Sequence, residues 1–264
     1  MKKSFKEQLT FKGILSDIDG TLYFKGAPVK GAVKAVEKLR EKAIKLLFLT
    51  NTDSKSPKTI FNTLKDFGFK IYIEEIFTPI IALKEFLRIV PNKKLFLVTT
   101  EEIKREFQEF PKVKVPDVPD YVIISDFRDN WDVDRLNQAF KYVKKGATLL
   151  GTQGNRYFLD HNAEPVIDTG SFVKMIADAA NVTPHIFGKP SKEYFIQALK
   201  RINLKPEESI VIGDDIESDI QGAINAGLKA ILVKTGKGEF YDPSELKFKP
   251  ELIIKTFASI LEYI

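Results

Sequence analysis

The sequence predicts an α/β protein with a parallel-sheet core and a second α/β segment in the middle of the chain. Two observations predict this fold. Short apolar runs of strand length alternate with segments whose apolar residues have helical spacing. Acidic or hydroxyl side chains directly follow three of these runs, which is typical of the carboxyl edge of an open parallel sheet.

The first third of the chain predicts two strands and two helices. Residues 14–15 and 46–49 are apolar runs, and the second is continuous, as expected of a buried parallel strand. Apolar residues recur at helical spacing over 29–43, and 59–67 is predicted as a further helix. Gly68 is expected to end that second helix, because glycine commonly follows the last helical residue.

The middle of the chain repeats the alternation by itself. A segment with three prolines, 111–119, is expected to be a loop. The predicted strands are 95–98, 121–124 and 148–150, and the predicted helices are 101–110 and 133–144.

The last third returns to the pattern of the first. Residues 210–212 and 230–233 are predicted as strands of the same core sheet. A helix is predicted over 218–225, before Gly227, and a final helix over 250–264.

The composition excludes several classes of function. The chain has 264 residues, 44% of them apolar and 29% charged, as in a globular protein with a sizeable core. It has no cysteine and only two histidines, which argues against disulfides, thiolate sites and histidine-based zinc sites. The net charge of +5 comes from lysines spread over the predicted helices, so a solvated surface is favoured over nucleic-acid binding.

The apolar runs are all shorter than the roughly 20 residues that a membrane helix needs. The first ten residues are basic, but no apolar stretch of signal-peptide length follows them. We therefore expect a cytoplasmic protein that does not bind a membrane.

The first candidate site follows the first predicted strand. Asp17 and Asp19 are two residues apart, so an extended chain points both carboxylates to the same side. Gly20 permits a sharp turn of the backbone after them. The competing interpretation is an Asp-x-Asp-Gly surface turn, which is common in proteins.

Three further segments are candidates on the same grounds. Thr50 and Asn51 follow the strand over 46–49, although a helix N-cap would explain them equally well. Lys189 lies between Gly188 and Pro190 and could be only a solvated side chain. The segment 213–219 places four acidic residues directly after a core strand, and acidic capping of the next helix explains only part of that cluster.

Taken together, these four segments indicate phosphoryl transfer. A parallel sheet would bring the ends of its strands to one edge, where several carboxylates repel one another unless a cation lies among them. Oxygen ligands without cysteine favour Mg²⁺. A carboxylate surrounded by a metal ion, a lysine, a hydroxyl and an amide suits phosphoryl transfer, which needs positioning and charge neutralisation.

Taken in order, these segments resemble the four motifs of the haloacid dehalogenase superfamily. Residues 17–21 resemble its first motif, Thr50-Asn51 the second, Lys189 the third, and 213–219 the fourth. The insertion between the second and third motifs is similar to the C2 cap of the NagD-like, 4-nitrophenylphosphatase-like branch. The resemblance covers essentially the whole chain.

The resemblance implies a role for each matched residue. It implies that Asp17 is the nucleophile and carries an aspartyl-phosphate, and that Asp19 is the general acid and base. Substrate phosphate would be held by Thr50, Asn51 and Lys189. The implied Mg²⁺ ligands are Asp17, the backbone carbonyl of Asp19, and Asp214. The resemblance also implies that Asp215 and Asp219 support the metal site by holding its ligands, without binding the metal themselves.

The resemblance also implies the architecture and the partners. It implies a Rossmann-like parallel-sheet core over 1–79 and 180–264, with an inserted α/β cap domain over 80–179 that covers the site. The expected substrate is a small phosphorylated molecule and the expected cofactor is Mg²⁺. A homodimer through the cap is a further expectation taken from the family.

Two other kinds of protein share part of this residue pattern. A receiver domain also uses an acidic cluster, a threonine and a lysine, but it is about half as long and its acidic pair precedes the phosphorylated aspartate. A non-catalytic regulatory protein on the same fold would not need Asp17, Asp19, Lys189 and Asp214 intact. A pyrophosphate or N–P bond phosphatase stays open as an alternative substrate class.

Overall fold

The computed structural model describes residues 9–160, 162, 164–244 and 248–264. The chain divides into two compact units. The first unit comprises 1–50, 61–77 and 195–264, and the second comprises 51–60 and 78–194. The domain boundaries predicted from the sequence, after residues 79 and 179, stay a prediction.

The strands and helices alternate along both units. The strands, in chain order, are β1 Gly13–Asp17, β2 Tyr23–Phe24, β3 Ala27–Pro28, β4 Lys45–Leu49, β5 Ile76–Phe77, β6 Leu95–Val98, β7 Tyr121–Ile124, β8 Thr148–Gly151, β9 Tyr157–Leu159, β10 Pro165–Ile167, β11 His185–Ile186, β12 Ser209–Gly213, β13 Lys229–Val233 and β14 Leu252–Ile254. The α-helices are α1 Ala32–Glu41, α2 Pro57–Asp66, α3 Pro79–Ile89, α4 Glu101–Glu106, α5 Val133–Lys144, α6 Thr169–Ala180, α7 Lys192–Ile202 and α8 Gly222–Asn225. A π-helical segment covers Ile216–Gln221, and short 3₁₀ helices cover Ile73–Glu75, Arg128–Asn130, Pro206–Glu208, Gly236–Phe240 and Phe257–Glu262.

The first unit is built on a parallel sheet with the strand order β14-β13-β12-β1-β4-β5. The central strand β1 pairs with β12 on one side and β4 on the other, and all five of its residues are buried. The register places Asp17 opposite Leu49 and Ser16 opposite Ile212. The carboxyl ends of β1, β4 and β12 therefore meet at one edge of the sheet, as the sequence predicts.

The second unit has its own parallel sheet, with the strand order β11-β8-β7-β6, and an antiparallel hairpin of β9 and β10. Successive residues of β7 face opposite ways, as in any strand. Val122 and Ile124 pack against α5 and α6, whereas Ile123 packs against α3 and α4. Apolar side chains cover both faces of this sheet, which is why its strands are apolar without alternation.

The fold class predicted from the sequence, α/β with a Rossmann-like parallel core, is confirmed. None of the helices in the described ranges combines the length and apolar character needed to cross a membrane.

The helix predicted over 250–264 is wrong. Leu252–Ile254 instead forms β14, which pairs in parallel with β13 at the edge of the core sheet, and Phe257–Glu262 is a 3₁₀ helix. Three apolar residues in a row suit a strand or a helix equally, and here hydrogen bonds to β13 decide for the strand. The helix predicted over 218–225 begins at Ile216 in π-helical form, because the Asp215 side chain caps it.

Candidate active site

The two aspartates after β1 have different surroundings. Asp17 is the last residue of β1 and is only 5% exposed, whereas Asp19 is exposed to solvent. Between them, Ile18 is fully buried and anchors the turn to the core. The chain then turns at Gly20, whose φ of 87° is in the left-handed region. A buried carboxylate and an accessible one are thus presented by the same short segment.

Asp19 lies between a threonine and a tyrosine. The Thr50 hydroxyl at the end of β4 donates to Asp19 Oδ2 at 3.4 Å. The backbones of Tyr23 and Asp19 pair in an isolated β-bridge. Burial of the Tyr23 hydroxyl, followed by the charges of Asp19 and Asp17, raises its pKa above the ordinary value. Sequence reasoning missed Tyr23, although an aromatic residue four positions after Asp19 was a visible signal.

The carboxylates after β12 complete an acidic cluster in the first unit. Asp214 and Asp219 are 5% and 1% exposed. Oxygen atoms of Asp17, Asp214 and Asp219 all lie within 4.8 Å of one another. Burial, followed by the negative charges of Asp17, Asp219 and Asp215, raises the pKa of Asp214 well above its ordinary value. This donor set fits a hard cation, which would remove the repulsion.

Two glycines and a backbone amide hold Asp214 in place. A Cβ atom on Gly20 would lie 2.2 Å from Asp214 Oδ2, and one on Gly236 would lie 2.1 Å from it, so neither position has room for a side chain. The backbone N–H of Lys237 donates to Asp214 Oδ2 at 2.7 Å. The Asp214 carboxylate is therefore fixed by backbone packing before any ligand binds.

Lys237 also pairs with the next acidic residue. Its Nζ lies 2.6 Å from Asp215 Oδ2. Burial alone would raise the pKa of Asp215, but the Lys237 ammonium, together with the backbone N–H groups of Glu217 and Ser218, lowers it. Sequence reasoning missed Lys237. The signal was a Gly-Lys-Gly segment shortly after a core strand.

The structure places Asp219 differently from Asp215. The Asp219 carboxylate joins those of Asp17 and Asp214, and its Oδ2 also accepts the Asp215 N–H at 3.1 Å. Asp19 contributes no side-chain oxygen to this cluster within the described residues. Its predicted metal contact uses the backbone carbonyl and stays a prediction.

The second unit holds the other two predicted phosphate ligands, Asn51 and Lys189, next to each other. Asn51 Nδ2 donates to the Lys189 carbonyl oxygen at 2.8 Å, and the Lys189 N–H donates to Asn51 Oδ1 at 2.8 Å. Asn51 Nδ2 also donates to Asn155 Oδ1 at 3.1 Å. Lys189 is 2% exposed. These two hydrogen bonds between the Asn51 side chain and the Lys189 backbone hold the two chain segments together.

Comparison with known families extends over both groups of site residues. A family model described as haloacid dehalogenase-like hydrolase matches residues 14–111, which contain Asp17, Asp19, Thr50 and Asn51. A second model, described as HAD-hydrolase-like, matches residues 186–260, which contain Lys189 and the acidic segment after β12.

Relatives and solved structures match nearly the whole chain. Haloacid dehalogenase-like hydrolase domain-containing protein 2 of Mus musculus is 33% identical over 96% of this chain and 95% of its own length. Phospholysine phosphohistidine inorganic pyrophosphate phosphatase of Xenopus laevis is 32% identical over 96% of this chain and 92% of its own length. The p-nitrophenyl phosphatase from Archaeoglobus fulgidus superposes with a TM-score of 0.89 at 25% identity, over 97% of this chain and 100% of that one. The family resemblance predicted from the motifs is confirmed.

Proposed function

Because this chain belongs to the haloacid dehalogenase-like hydrolases, we propose that it is a magnesium-dependent phosphatase that cleaves small phosphorylated molecules through an aspartyl-phosphate on Asp17. The observation that carries the proposal is the buried cluster of Asp17, Asp214 and Asp219 at the carboxyl edge of the core sheet. Three buried carboxylates within 4.8 Å serve no packing purpose, whereas they suit a site that binds a divalent cation beside a nucleophile.

In the first step, an Asp17 carboxylate oxygen attacks the phosphorus atom of the substrate. The bond from phosphorus to the leaving oxygen breaks, and Asp19 donates its proton to that oxygen. The exposure of Asp19 supports this role, because the proton donor must reach a leaving group that belongs to the substrate. The buried position of Asp17 supports the role of nucleophile, since a partly desolvated carboxylate is more reactive.

In the second step, Asp19 is a carboxylate and accepts a proton from water. The water oxygen attacks phosphorus, the bond between phosphorus and Asp17 breaks, and inorganic phosphate leaves. Asp19 is then protonated again and Asp17 is regenerated, so the two steps together consume one water molecule. The hydrogen bond from Thr50 to Asp19 Oδ2 would orient this carboxyl group.

The phosphoryl oxygens would be held by Thr50, Asn51 and Lys189. Lysine supplies a positive charge, and the hydroxyl and amide supply hydrogen bonds in fixed directions. Asp17, Asp214 and the backbone carbonyl of Asp19 would hold Mg²⁺, with Asp215 and Asp219 in support, and the ion would neutralise charge on the phosphoryl oxygens.

The proposed substrates are small because the family resemblance implies a cap, predicted over residues 80–179, that limits the size of the substrate. Two relatives support phosphate chemistry through their names, one a p-nitrophenyl phosphatase and the other a phosphatase of phospholysine, phosphohistidine and inorganic pyrophosphate. The second name is the reason to retain pyrophosphate and N–P bonds as the alternative substrate class. The cytoplasmic location and the homodimer through the cap predicted over 80–179 stay predictions.

The test is release of inorganic phosphate from a panel of substrates by the purified, Mg²⁺-loaded protein. The panel contains 4-nitrophenyl phosphate, several sugar phosphates, pyrophosphate and imidodiphosphate. We expect turnover of monoesters, and preferential turnover of the last two would favour the alternative class. A folded protein that releases phosphate from none of them would be a non-catalytic member of the family.

Asp19→Asn should slow the hydrolysis of alkyl phosphates by about a hundredfold or more, because asparagine cannot donate the proton that the leaving oxygen needs. The loss should be smaller for the first step with 4-nitrophenyl phosphate, whose leaving group is stable as an anion. Single-turnover rates for both substrates measure this difference.

Asp66→Asn is the matched control for Asp19→Asn. Asp66 ends α2 and is exposed, so the same change of charge is made away from the site. Its rates should equal those of the wild type. Equal first-step losses for both substrates in Asp19→Asn would remove Asp19 from the role of proton donor.

A further inference from the structure

A second buried polar cluster lies in the second unit and is not used in the proposed reaction. Its centre is Asp53, which is 3% exposed and follows the predicted phosphate-binding residues by two positions. The backbone carbonyl of Asp53 accepts the Ser125 hydroxyl at 2.5 Å, which ties the segment 51–60 to the end of β7. The sequence around Asp53 resembles a surface turn, but the side chain is buried.

This cluster contains three buried carboxyl groups and the guanidinium group of Arg128. Asp126 and Asp168, each 6% exposed, face Asp53, and the guanidinium group of Arg128 lies beside both of them. Arg128 pairs closely with Asp126 through two of its nitrogens and lies 3.9 Å from Asp168. Asp53 has no ion pair within the described residues. A third buried negative charge beside the other two would be strongly unfavourable.

The hydrogen bonds of Thr152 give independent evidence for the charge state of Asp53. Thr152 Oγ1 lies 2.5 Å from Asp53 Oδ2 and 3.2 Å from the carbonyl oxygen of Ile124. Both neighbours would be acceptors if Asp53 were ionised, and a threonine hydroxyl has one proton to donate. A neutral Asp53 would supply the second proton: its carboxyl group would donate to Thr152, and Thr152 would donate to Ile124.

Thr152 begins a loop that contacts Asn51, a predicted phosphate ligand, and Gly188, the residue before the predicted ligand Lys189. Within that loop, Gln153 Oε1 accepts the Asn155 N–H at 2.6 Å, and Asn155 Oδ1 accepts from Asn51. The Thr152 carbonyl packs against Gly188, where an added Cβ would lie 2.7 Å from it. The loop 152–155 thus lies against the residue before Lys189 and is bonded to Asn51.

We propose that Asp53 is an uncharged carboxylic acid at neutral pH and is the positioning residue that holds the loop 152–155 against Asn51 and the residue before Lys189. The positioning role rests on the proposed function, because it assumes that Asn51 and Lys189 bind phosphate. The uncharged state of Asp53 is independent of the proposed function.

The charge state predicts how stability depends on pH. Burial, followed by the negative charge of Asp168, raises the pKa of Asp53 to about 8 from its ordinary value of 3.8. Between these two values the folded chain holds a proton that the unfolded chain has lost, so this group reduces stability as pH rises from about 4 to about 8. Above about pH 8 the reduction is complete and constant.

The first experiment compares thermal unfolding of the wild type and Asp53→Asn from pH 5 to pH 9. Asparagine keeps the shape of a neutral aspartic acid but has no proton to lose. We expect the Tm of the variant to rise relative to that of the wild type by about 5 °C or more between pH 5 and pH 8. Parallel curves for the two proteins would mean that Asp53 is ionised, and would overturn the proposal.

The second experiment measures the affinity for inorganic phosphate by calorimetry and the kcat/KM for 4-nitrophenyl phosphate. Asp53→Ala removes the carboxyl group that Thr152 contacts, and we expect both quantities to fall about tenfold. Asp53→Asn should retain most of both at pH 7. It should also remove the loss of phosphate affinity that the wild type shows as pH rises through 8.

Glu102→Gln is the control for the same segment. Glu102 accepts the Ser56 N–H and the Thr59 hydroxyl, both at 2.7 Å, and so anchors residues 51–60 at another point. It should leave the change near pH 8 in place. If Asp53→Ala folds with a lower Tm but keeps the phosphate affinity of the wild type, or Asp53→Asn keeps the wild-type change near pH 8, the positioning role is refuted. If the wild type binds phosphate but turns over no ester, only the proposed function fails.

Discussion

Asp17→Asn is expected to reduce phosphate release by about a thousandfold or more, to the background rate. A carboxamide oxygen is a far weaker nucleophile than a carboxylate, so the phosphoryl group would have no acceptor. The fold should survive, because asparagine has nearly the same shape and the change removes one of several crowded negative charges. Steady-state rates and thermal unfolding, measured on the same preparation, separate the two effects.

Covalent trapping makes this prediction specific to Asp17. Acid quenching of the wild type during turnover of a ³²P-labelled ester should leave label on the protein, and none should remain on Asp17→Asn. The exposed substitution Asp66→Asn should label like the wild type. A variant at Asp17 that keeps more than a few per cent of the rate would exclude the covalent route.

Removal of Mg²⁺ is expected to stop turnover just as completely, and its return should restore the rate. The buried carboxylates of Asp17, Asp214 and Asp219 repel one another without a cation, and burial, followed by this repulsion, raises the pKa of Asp214. At about 100 times its Kd, Mg²⁺ should stabilise the fold by about 2.7 kcal/mol. That corresponds to a rise in Tm of about 5 to 10 °C, measured by unfolding in chelator and in Mg²⁺.

Asp214→Asn provides the matched variant for the metal. It removes one buried charge, so its Tm in chelator should exceed that of the wild type, while the increase caused by Mg²⁺ should be smaller. Asp66→Asn should show the wild-type increase in full. Undiminished turnover after exhaustive treatment with chelator would refute the requirement for Mg²⁺.

The sequence allowed the fold class and the candidate residues at the sheet edge to be predicted because both follow from local patterns. Apolar runs reveal buried parallel strands, and the residue after such a strand lies at the carboxyl edge whatever path the chain takes between strands. The register of β1 with β4 and β12 has this effect for Asp17, Thr50 and Asp214.

Residues whose role depends on the path of a loop could not be predicted in this way. Lys237 meets Asp214 and Asp215 only because the chain after β13 returns over the same edge, and no local pattern encodes that return. Asp53 lies among polar residues that suggest a surface turn, and its burial depends on side chains about 70 to 115 residues further along the chain.

Some elements were missed although their local signals were present. Helix α6 begins after Asp168, whose carboxylate accepts the Thr169 N–H, and ends at Asn181 with a φ of 57°. An aspartate before the helix and an asparagine after it are ordinary boundary residues. The opposite error occurred at β14, where a helix was predicted and a strand is present. Its three consecutive apolar residues do not distinguish a strand from a helix.

The packing of two glycines around Asp214 limits which mutations the enzyme can accept. If every glycine were randomised and active clones were sequenced, Gly20 and Gly236 should be recovered only as glycine, because any other residue would displace Asp214. Gly26 and Gly146 also have positive φ, but an added Cβ would meet nothing within 4 Å, so asparagine should be accepted at both. Inherited loss of activity could therefore arise at residues with no functional group of their own.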